Sequence, residues 1–325
     1  MFVMKTFLKR SCYLALGFLL FVAAPIQGQN LKKVHIAIPA PAPLSAAFVV
    51  AKASGFYRSE GLDVEQVVMP GTLATQALIG GNVEFSTLGG AALPSILRGA
   101  PIRMLFATFY RPMFWLYSKP EIRSVGDLKG KKIGVSTIGG GPDLLLRAAL
   151  VRHGLDAARD VTVLALGESR ARLTALRTGL VDATVLVVPV SFLAQEAGFR
   201  ELVSFIKEDL VELQGSVIAR EKLLESEPVL VQKFLRGTLR GLRYLRQNRG
   251  DSVAILARFL KVSETVAAKT YDLVEPALTR DGIVDEAIQR KSLEHILARV
   301  GLKEPPPLEK VFNFSLIGKV REELR

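Results

Sequence analysis

A phrase that ends a helix and starts a strand occurs twice in the chain, 98 residues apart. The first copy is Ala77-Leu78-Ile79-Gly80-Gly81-Asn82-Val83-Glu84-Phe85-Ser86. The second is Ala175-Leu176-Arg177-Thr178-Gly179-Leu180-Val181-Asp182-Ala183-Thr184. Both fit A-L-x-x-G-x-V-acid-x-(Ser/Thr). In each, a glycine stands where a helix end favours the left-handed backbone, and an apolar strand follows. One copy is ordinary punctuation of α/β structure. Two copies at this spacing imply two similar lobes, and the cleft between two lobes is where a small molecule binds.

The pattern around the copies supports this reading. Strands are expected over 34–39, 62–69, 83–88 and 102–109, with helices over 45–53, 73–79 and 91–97 between them. The apolar, extended stretch Phe114–Ser118 reads as a crossing into a second lobe. There the alternation restarts, with strands over 132–136, 161–166 and 183–188 and near 202–205, and helices over 142–153, 170–178 and 191–197. A return strand at 216–219 leads to helices over 228–247, 252–260, 264–274 and 283–300. Strands alternating with helices argue for an α/β fold with mostly parallel sheets. The helical C-terminal part is expected to pack on the first lobe. Lobe 1 is therefore discontinuous (29–116 and 217–325), and lobe 2 comprises 117–216.

Residues 1–28 follow a different logic. Lys5, Lys9 and Arg10 precede an apolar run from Tyr13 to Ile26, and Gln27-Gly28 offers a small-residue cleavage site. This is the pattern of a secretory signal peptide, and the run is short for a membrane span. An uncleaved N-terminal anchor is the competing reading. Cys12, the only cysteine, lies before the apolar run, so the mature chain has none. Thiol nucleophiles, cysteine zinc sites and iron–sulfur clusters are thereby excluded. His35, His153 and His295 are far apart in sequence and no metal-binding motif includes them; no metal and no cofactor are expected.

The formal net charge of +12 falls to about +9 once the three cations of the leader are removed. Part of the excess recurs at helical spacing in Lys233, Arg236, Arg240 and Arg243, opposite Leu235, Leu239, Leu242 and Leu245. The expectation is a solvated basic face, with a docking surface for an acidic partner as the alternative. No nucleic-acid-binding signature is present.

The sharpest local feature is Ser136-Thr137-Ile138-Gly139-Gly140-Gly141-Pro142-Asp143. A strand ends, three glycines turn, and Pro142 suits the first position of a helix. Free N–H groups of that helix start and the hydroxyls of Ser136 and Thr137 form a grip for a ligand, an anion among the options. Asp143 opposes an anion there, and a purely structural turn remains the alternative. The first lobe has a matching turn, Ser86-Thr87-Leu88-Gly89-Gly90-Ala91, and the proline-rich turn Ala40–Leu44 lies on the same edge. In open α/β sheets ligands sit outside the carboxyl ends of strands. Val187-Val188-Pro189 is the counterpart after the second copy. Arg111 near the crossing is either a ligand clamp or an exposed or salt-bridged side chain. Glu84 and Asp182 could suggest a catalytic carboxylate pair, but they lie early in their strands, away from the carboxyl ends, and a structural or solvent-facing role is expected.

Further phrases carry a family resemblance. Gly55-Phe56-Tyr57-x-x-Glu60-Gly61-Leu62-x-Val64 and Asp127-Leu128-Lys129-Gly130-Lys131-Lys132-Ile133-Gly134-Val135 resemble phrases of the substrate-binding proteins of ABC importers. The branch is the one that handles nitrate, taurine, alkanesulfonates and thiamine-pyrimidine precursors. The resemblance, from about Leu31 to about Gly301, implies a two-lobed type II periplasmic-binding fold that closes around its ligand. It implies a monomer, periplasmic or secreted after cleavage near Gly28, whose partners are a small-molecule ligand and ABC permease subunits in the inner membrane. It places the pocket on the turns at 40–44, 87–89, 137–141 and 188–190, so that the expected substrate contacts are Pro41, Leu44, Thr87, Leu88, Gly89, Thr137, Gly140, Gly141 and Pro189, with Arg111 added from its own position near the crossing. No catalytic residue is expected. The alternatives are a ligand-sensing accessory protein for a membrane receptor and an enzyme similar to a thiamine-pyrimidine synthase. The cysteine-rich motif of that enzyme is missing here.

Overall fold

The computed structural model describes residues 30–325, apart from the side chains of residues 295, 298 and 299. The signal-peptide reading of residues 1–28 lies outside the described residues. Among those described, no helix is long and apolar enough to cross a membrane.

The chain builds its first sheet from β1 (Lys32–Ile38), β2 (Leu62–Val68), β3 (Phe85–Ser86) and β4 (Ile102–Phe109), interleaved with α1 (Ala46–Ala53), α2 (Phe56–Ser59), α3 (Gly71–Gly80) and α4 (Gly89–Leu97). It then crosses to a second sheet made of β5 (Trp115–Ser118), β6 (Lys132–Val135), β7 (Thr162–Ala165), β8 (Ala183–Leu186) and β9 (Arg200–Ser204). Helices α5 (Gly141–Arg152), α6 (Ser169–Arg177) and α7 (Val190–Glu196) accompany these strands. The chain returns through β10 (Gln214–Arg220) into the first sheet. It ends in α8 (Glu221–Ser226), α9 (Pro228–Gln247), α10 (Arg249–Leu260), α11 (Glu264–Val274), α12 (Glu286–Val300) and α13 (Ser315–Glu323).

The two sheets are built alike. Their strand orders are β2-β1-β3-β10-β4 and β7-β6-β8-β5-β9. In each, the first three strands are parallel, and the fourth position holds an antiparallel strand that adjoins a crossing between the lobes. The order reverses around β1 and around β6. The carboxyl ends of these strands are therefore the switch points at which an α/β sheet leaves a crevice.

The repeated phrase performs the same structural task in both lobes. Gly81 and Gly179 take φ of 83° and 76° as α3 and α6 end. The acid that follows grips the neighbouring parallel strand by its backbone. Glu84 donates its N–H to the His35 carbonyl, and its Oε2 accepts the His35 N–H at 2.6 Å. Asp182 donates to the Lys132 carbonyl, and its Oδ2 accepts the Lys132 N–H at 3.0 Å; its other oxygen pairs with Lys119 at 2.7 Å. Both acids thus hold the amino-terminal ends of the sheets, as their sequence position required.

β3 is shorter than the sequence pattern indicates. It pairs with β1 through two residues before Thr87 caps the Ala37 carbonyl and the chain turns into α4. The C-terminal tail, in contrast, is more ordered than its proline run suggests, because α13 packs on α9. The basic face of α9 is covered in the same way. Arg236 pairs with Glu60 at 2.9 Å and also with Glu323. Arg240 lies 3.6 Å from Glu60 and stacks over the Phe56 ring, and Arg243 donates to the Leu324 carbonyl. Three of the four cations of this face, Arg236, Arg240 and Arg243, are thus engaged in packing, and they pin α2 and α13 to α9. The resemblance phrase containing Phe56, Tyr57 and Glu60 is therefore a packing motif.

On the buried face of α9, Phe234 stacks on Phe85 with ring centroids 4.0 Å apart and on Tyr57 at 5.2 Å. Gly241 allows α1 to approach, since a Cβ there would lie 2.5 Å from the Ala47 carbonyl oxygen. The aromatic stack thus joins the helical C-terminal part to β3, next to the turn that borders the cleft. Phe234→Ala is expected to lower unfolding free energy by about 3–5 kcal/mol, measured by urea denaturation, with retained secondary structure by circular dichroism.

Candidate functional site

The turns that leave β1, β2, β3, β6, β7 and β8 converge on one cavity of about 350 Å³ between the sheets. The volume is that of a small organic molecule. Its wall is mainly apolar or backbone: Pro39, Ala42 and Leu44 after β1, Met69 after β2, Leu88 and Gly89 after β3, and Val187 after β8. Phe114, on the first crossing, closes one side.

Of the ten residues expected at the site, Leu44, Thr87, Leu88, Gly89, Thr137, Gly140 and Gly141 border this cavity. Pro41, Arg111 and Pro189 lie outside its wall. Pro41 is exposed, while its neighbours Ala40 and Ala42 turn inward. Pro189 is buried immediately before α7, and Val187 takes the place at the cavity. Arg111 is exposed; its guanidinium donates to the Ile206 carbonyl at 3.3 Å and thereby ties one crossing segment to the other. Thr87 is buried, and its hydroxyl donates to the Ala37 carbonyl at 3.3 Å.

The first-turn N–H groups of α3, α4, α5 and α6 have no partner within their own helices, and all four helix starts reach the cavity wall. Three buried charged side chains stand at these helix starts, besides the exposed Glu168 that precedes α6. Asp143 is fully buried; it accepts the Gly139 N–H at 2.8 Å and pairs with Arg147 at 2.8 Å. Its charge is spent on the glycine turn itself.

The other two lie in no turn or motif that marks them in the sequence. Arg172 on α6 is 2% exposed. It donates to the carbonyls of Val185, at 2.8 Å, and Gly167, and to the Ser169 hydroxyl at 2.8 Å, so that it braces the β7–α6 turn against β8. Burial lowers its pKa to about 10, which leaves it charged at neutral pH. The corresponding position in the first copy is Ala74, so this charge belongs to one lobe only. The available signal was an arginine interrupting the apolar face of Leu173 and Leu176.

Glu212, on the second crossing, is 3% exposed and borders the cavity. Its Oε2 accepts from Gln214 Nε2 at 2.9 Å, and Gln214 is itself oriented by the Met113 N–H at 3.1 Å from the first crossing. Its Oε1 faces Gly90 at the start of α4 and Gly141 at the start of α5. A Cβ on either glycine would fall 2.6 Å from that oxygen. Burial raises the carboxyl pKa to about 8, opposed by the Gln214 hydrogen bond. The sequence signal was the Glu212-x-Gln214 pair inside an otherwise apolar stretch.

Residues 42–251 match the family described as NMT1/THI5 like. The chain belongs to this family. The matched span runs from the turn after β1 to the start of α10 and includes nearly the whole cavity wall. The riboflavin-binding protein RibY of Chloroflexus aurantiacus is 29% identical over 249 residues, 73% of this chain and 69% of RibY. A solved structure from Bordetella bronchiseptica RB50 superposes with a TM-score of 0.80 at 22% identity, covering 91% of this chain and 98% of that one. The alkanesulfonate-binding protein SsuA of Xanthomonas axonopodis pv. citri, bound to MOPS, gives a TM-score of 0.69 at 20% identity, covering 89% and 97%. The desulfurization enzyme DszB has the same fold, with a TM-score of 0.67 at 17% identity over 90% of this chain and 100% of DszB. The two-lobed periplasmic-binding architecture expected from the sequence is the one observed.

The raised pKa of Glu212 makes stability depend on pH with a defined sign. Its native value, about 8, lies above the ordinary 4.5, so the folded protein holds a proton that the unfolded chain has released. Relative to Glu212→Gln, the wild-type protein is expected to lose stability as pH rises from 4.5 to about 8. The loss is at most about 1.4 kcal/mol per pH unit. Urea unfolding of both proteins across this range measures it; parallel curves would show that the carboxyl is ionised throughout.

Proposed function

We propose that the protein is an exported solute-binding protein that captures a small organic molecule in the interlobe cavity and delivers it to the permease subunits of an ABC importer. The observation that carries this reading is the cavity itself, bordered by strand-end turns of both sheets and by both crossing segments. A solute there touches both lobes at once and stabilises the closed arrangement, which is the form a permease would recognise. Family membership and the name of the RibY relative support a binding role. The basic start and apolar run of residues 1–28 support export to the periplasm, where the protein would act as a monomer.

Substrate contacts are proposed at Leu44, Thr87, Leu88, Gly89, Thr137, Gly140 and Gly141, joined by Phe114, Arg172 and Glu212. Apolar walls supply most of the affinity, and helix-start N–H groups orient the solute. The second reading, an enzyme, is favoured by the fold shared with DszB. Among the described residues neither cysteine nor histidine borders the cavity; binding remains the first reading because family membership and the named binding-protein relative support it.

The test is thermal unfolding against riboflavin, alkanesulfonates, aminopyrimidines, carboxylates and aromatic acids. A ligand at 100 times its dissociation constant is expected to add about 2.7 kcal/mol of stability and to be recovered chemically unchanged. A complete absence of shifts across the panel would remove the support for solute capture, and recovery of an altered compound would favour the enzyme.

A further inference from the structure

The glycine turn at Gly139–Gly141 and its counterpart at Gly89–Gly90 have the outline of an oxyanion grip at two helix starts facing a cleft, but in the first the Gly140 N–H is already taken by the Thr137 carbonyl. The structure shows what already stands in front of them. Asp143 takes the Gly139 N–H. The Glu212 carboxyl lies between the starts of α4, a helix of 9 residues, and α5, one of 12. Its Oε1 rests against Gly90 from one lobe and Gly141 from the other, and neither position can carry a side chain without displacing it. The close approach of these two glycines thus makes room for a carboxyl group of the protein itself.

We propose that Glu212 determines the specificity of the cleft: its carboxyl fills the position between the starts of α4 and α5 that a sulfonate or phosphate would take. The solute must then meet Oε1 with a group other than an anion, one that exchanges a hydrogen bond with a carboxyl: a donor to its ionised form, or a neutral acceptor for the O–H of its protonated form. This inference rests on the solute-binding reading above and narrows its substrate class.

Three observations support it. The carboxyl is held in place from both crossings, by Gln214 directly and by the Met113 N–H through Gln214. It is almost completely buried, so it does not swing aside into solvent. Both forms occupy the position, and the ionised form also repels an anion, so exclusion is strongest above the carboxyl pKa of about 8. Arg172 is held away from this position, with three of its five N–H donors engaged by Val185, Gly167 and Ser169 in the β7–α6 turn.

Binding of MOPS and of inorganic phosphate by isothermal titration calorimetry, in wild-type protein, Glu212→Gln and Glu212→Ala, tests the assignment. The wild-type protein is expected to bind neither at millimolar concentration. Glu212→Ala is expected to bind at least one of them, with affinity at least about tenfold above wild type, equivalent to 1.4 kcal/mol. A cooperative thermal transition establishes that each variant is folded. Should the alanine variant not fold, the near-isosteric glutamine carries the test, with a smaller gain expected because it retains most of the side-chain volume. Wild-type binding equal to that of the variants would overturn the proposal, and so would failure of every folded variant to gain an anion. Failure of solute capture as such is read separately, as the absence of any shift in the wild-type panel.

Discussion

Each lobe depends on a carboxylate that grips the backbone of a neighbouring parallel strand. Glu84 holds His35, and Asp182 holds Lys132, each by exchanging one backbone hydrogen bond and accepting a second at the side chain. Parallel strands have evenly spaced, slanted bonds that tolerate sliding better than a tight hairpin does. A fixed point at the amino-terminal end sets the register, and the register decides where the carboxyl ends stop. The turns after β1, β3, β6 and β8 therefore reach the same level and meet at one cavity. The acids of the repeated phrase thus shape the cleft from its far side.

The polar groups around that cavity are arranged by burial. A buried charge is tolerated only with partners, and each of the three has them. Asp143 has Arg147 and a glycine N–H. Arg172 has two carbonyls and a hydroxyl. Glu212 has Gln214 and a pKa raised toward neutrality. Much of the wall left for a solute is apolar side chain and helix-start backbone. The same economy explains α9, whose arginines are matched by Glu60, Glu323 and a terminal carbonyl.

Much of the fold was legible because it is written in local patterns. β4, α9 and α11 begin and end where periodicity placed them, since each has an uninterrupted apolar rhythm and a clear break at either end. α2, α8 and α13 were not read, being short segments whose helical state comes from packing. Seven of the ten expected site residues border the cavity because turn chemistry after a strand is a local signal. Pro41, Arg111 and Pro189 do not, since a turn residue's sequence neighbourhood does not reveal which way its side chain points. Glu212 and Arg172 escaped notice for a related reason: they look like ordinary surface charges until the fold buries them.

The sequence by itself determined the existence of two α/β lobes, the acid-and-glycine phrase that organises each, and the edge on which their turns lie. These follow from hydrophobic period and backbone preference, which act over a few residues. Only the tertiary structure decided what the cleft contains. Glu212 meets Gly90 and Gly141 across sequence separations that no local pattern encodes, and its proton affinity is set by the exclusion of water when the lobes come together. The repeated phrase located turns that border the cavity, and long-range packing set the chemistry of its wall.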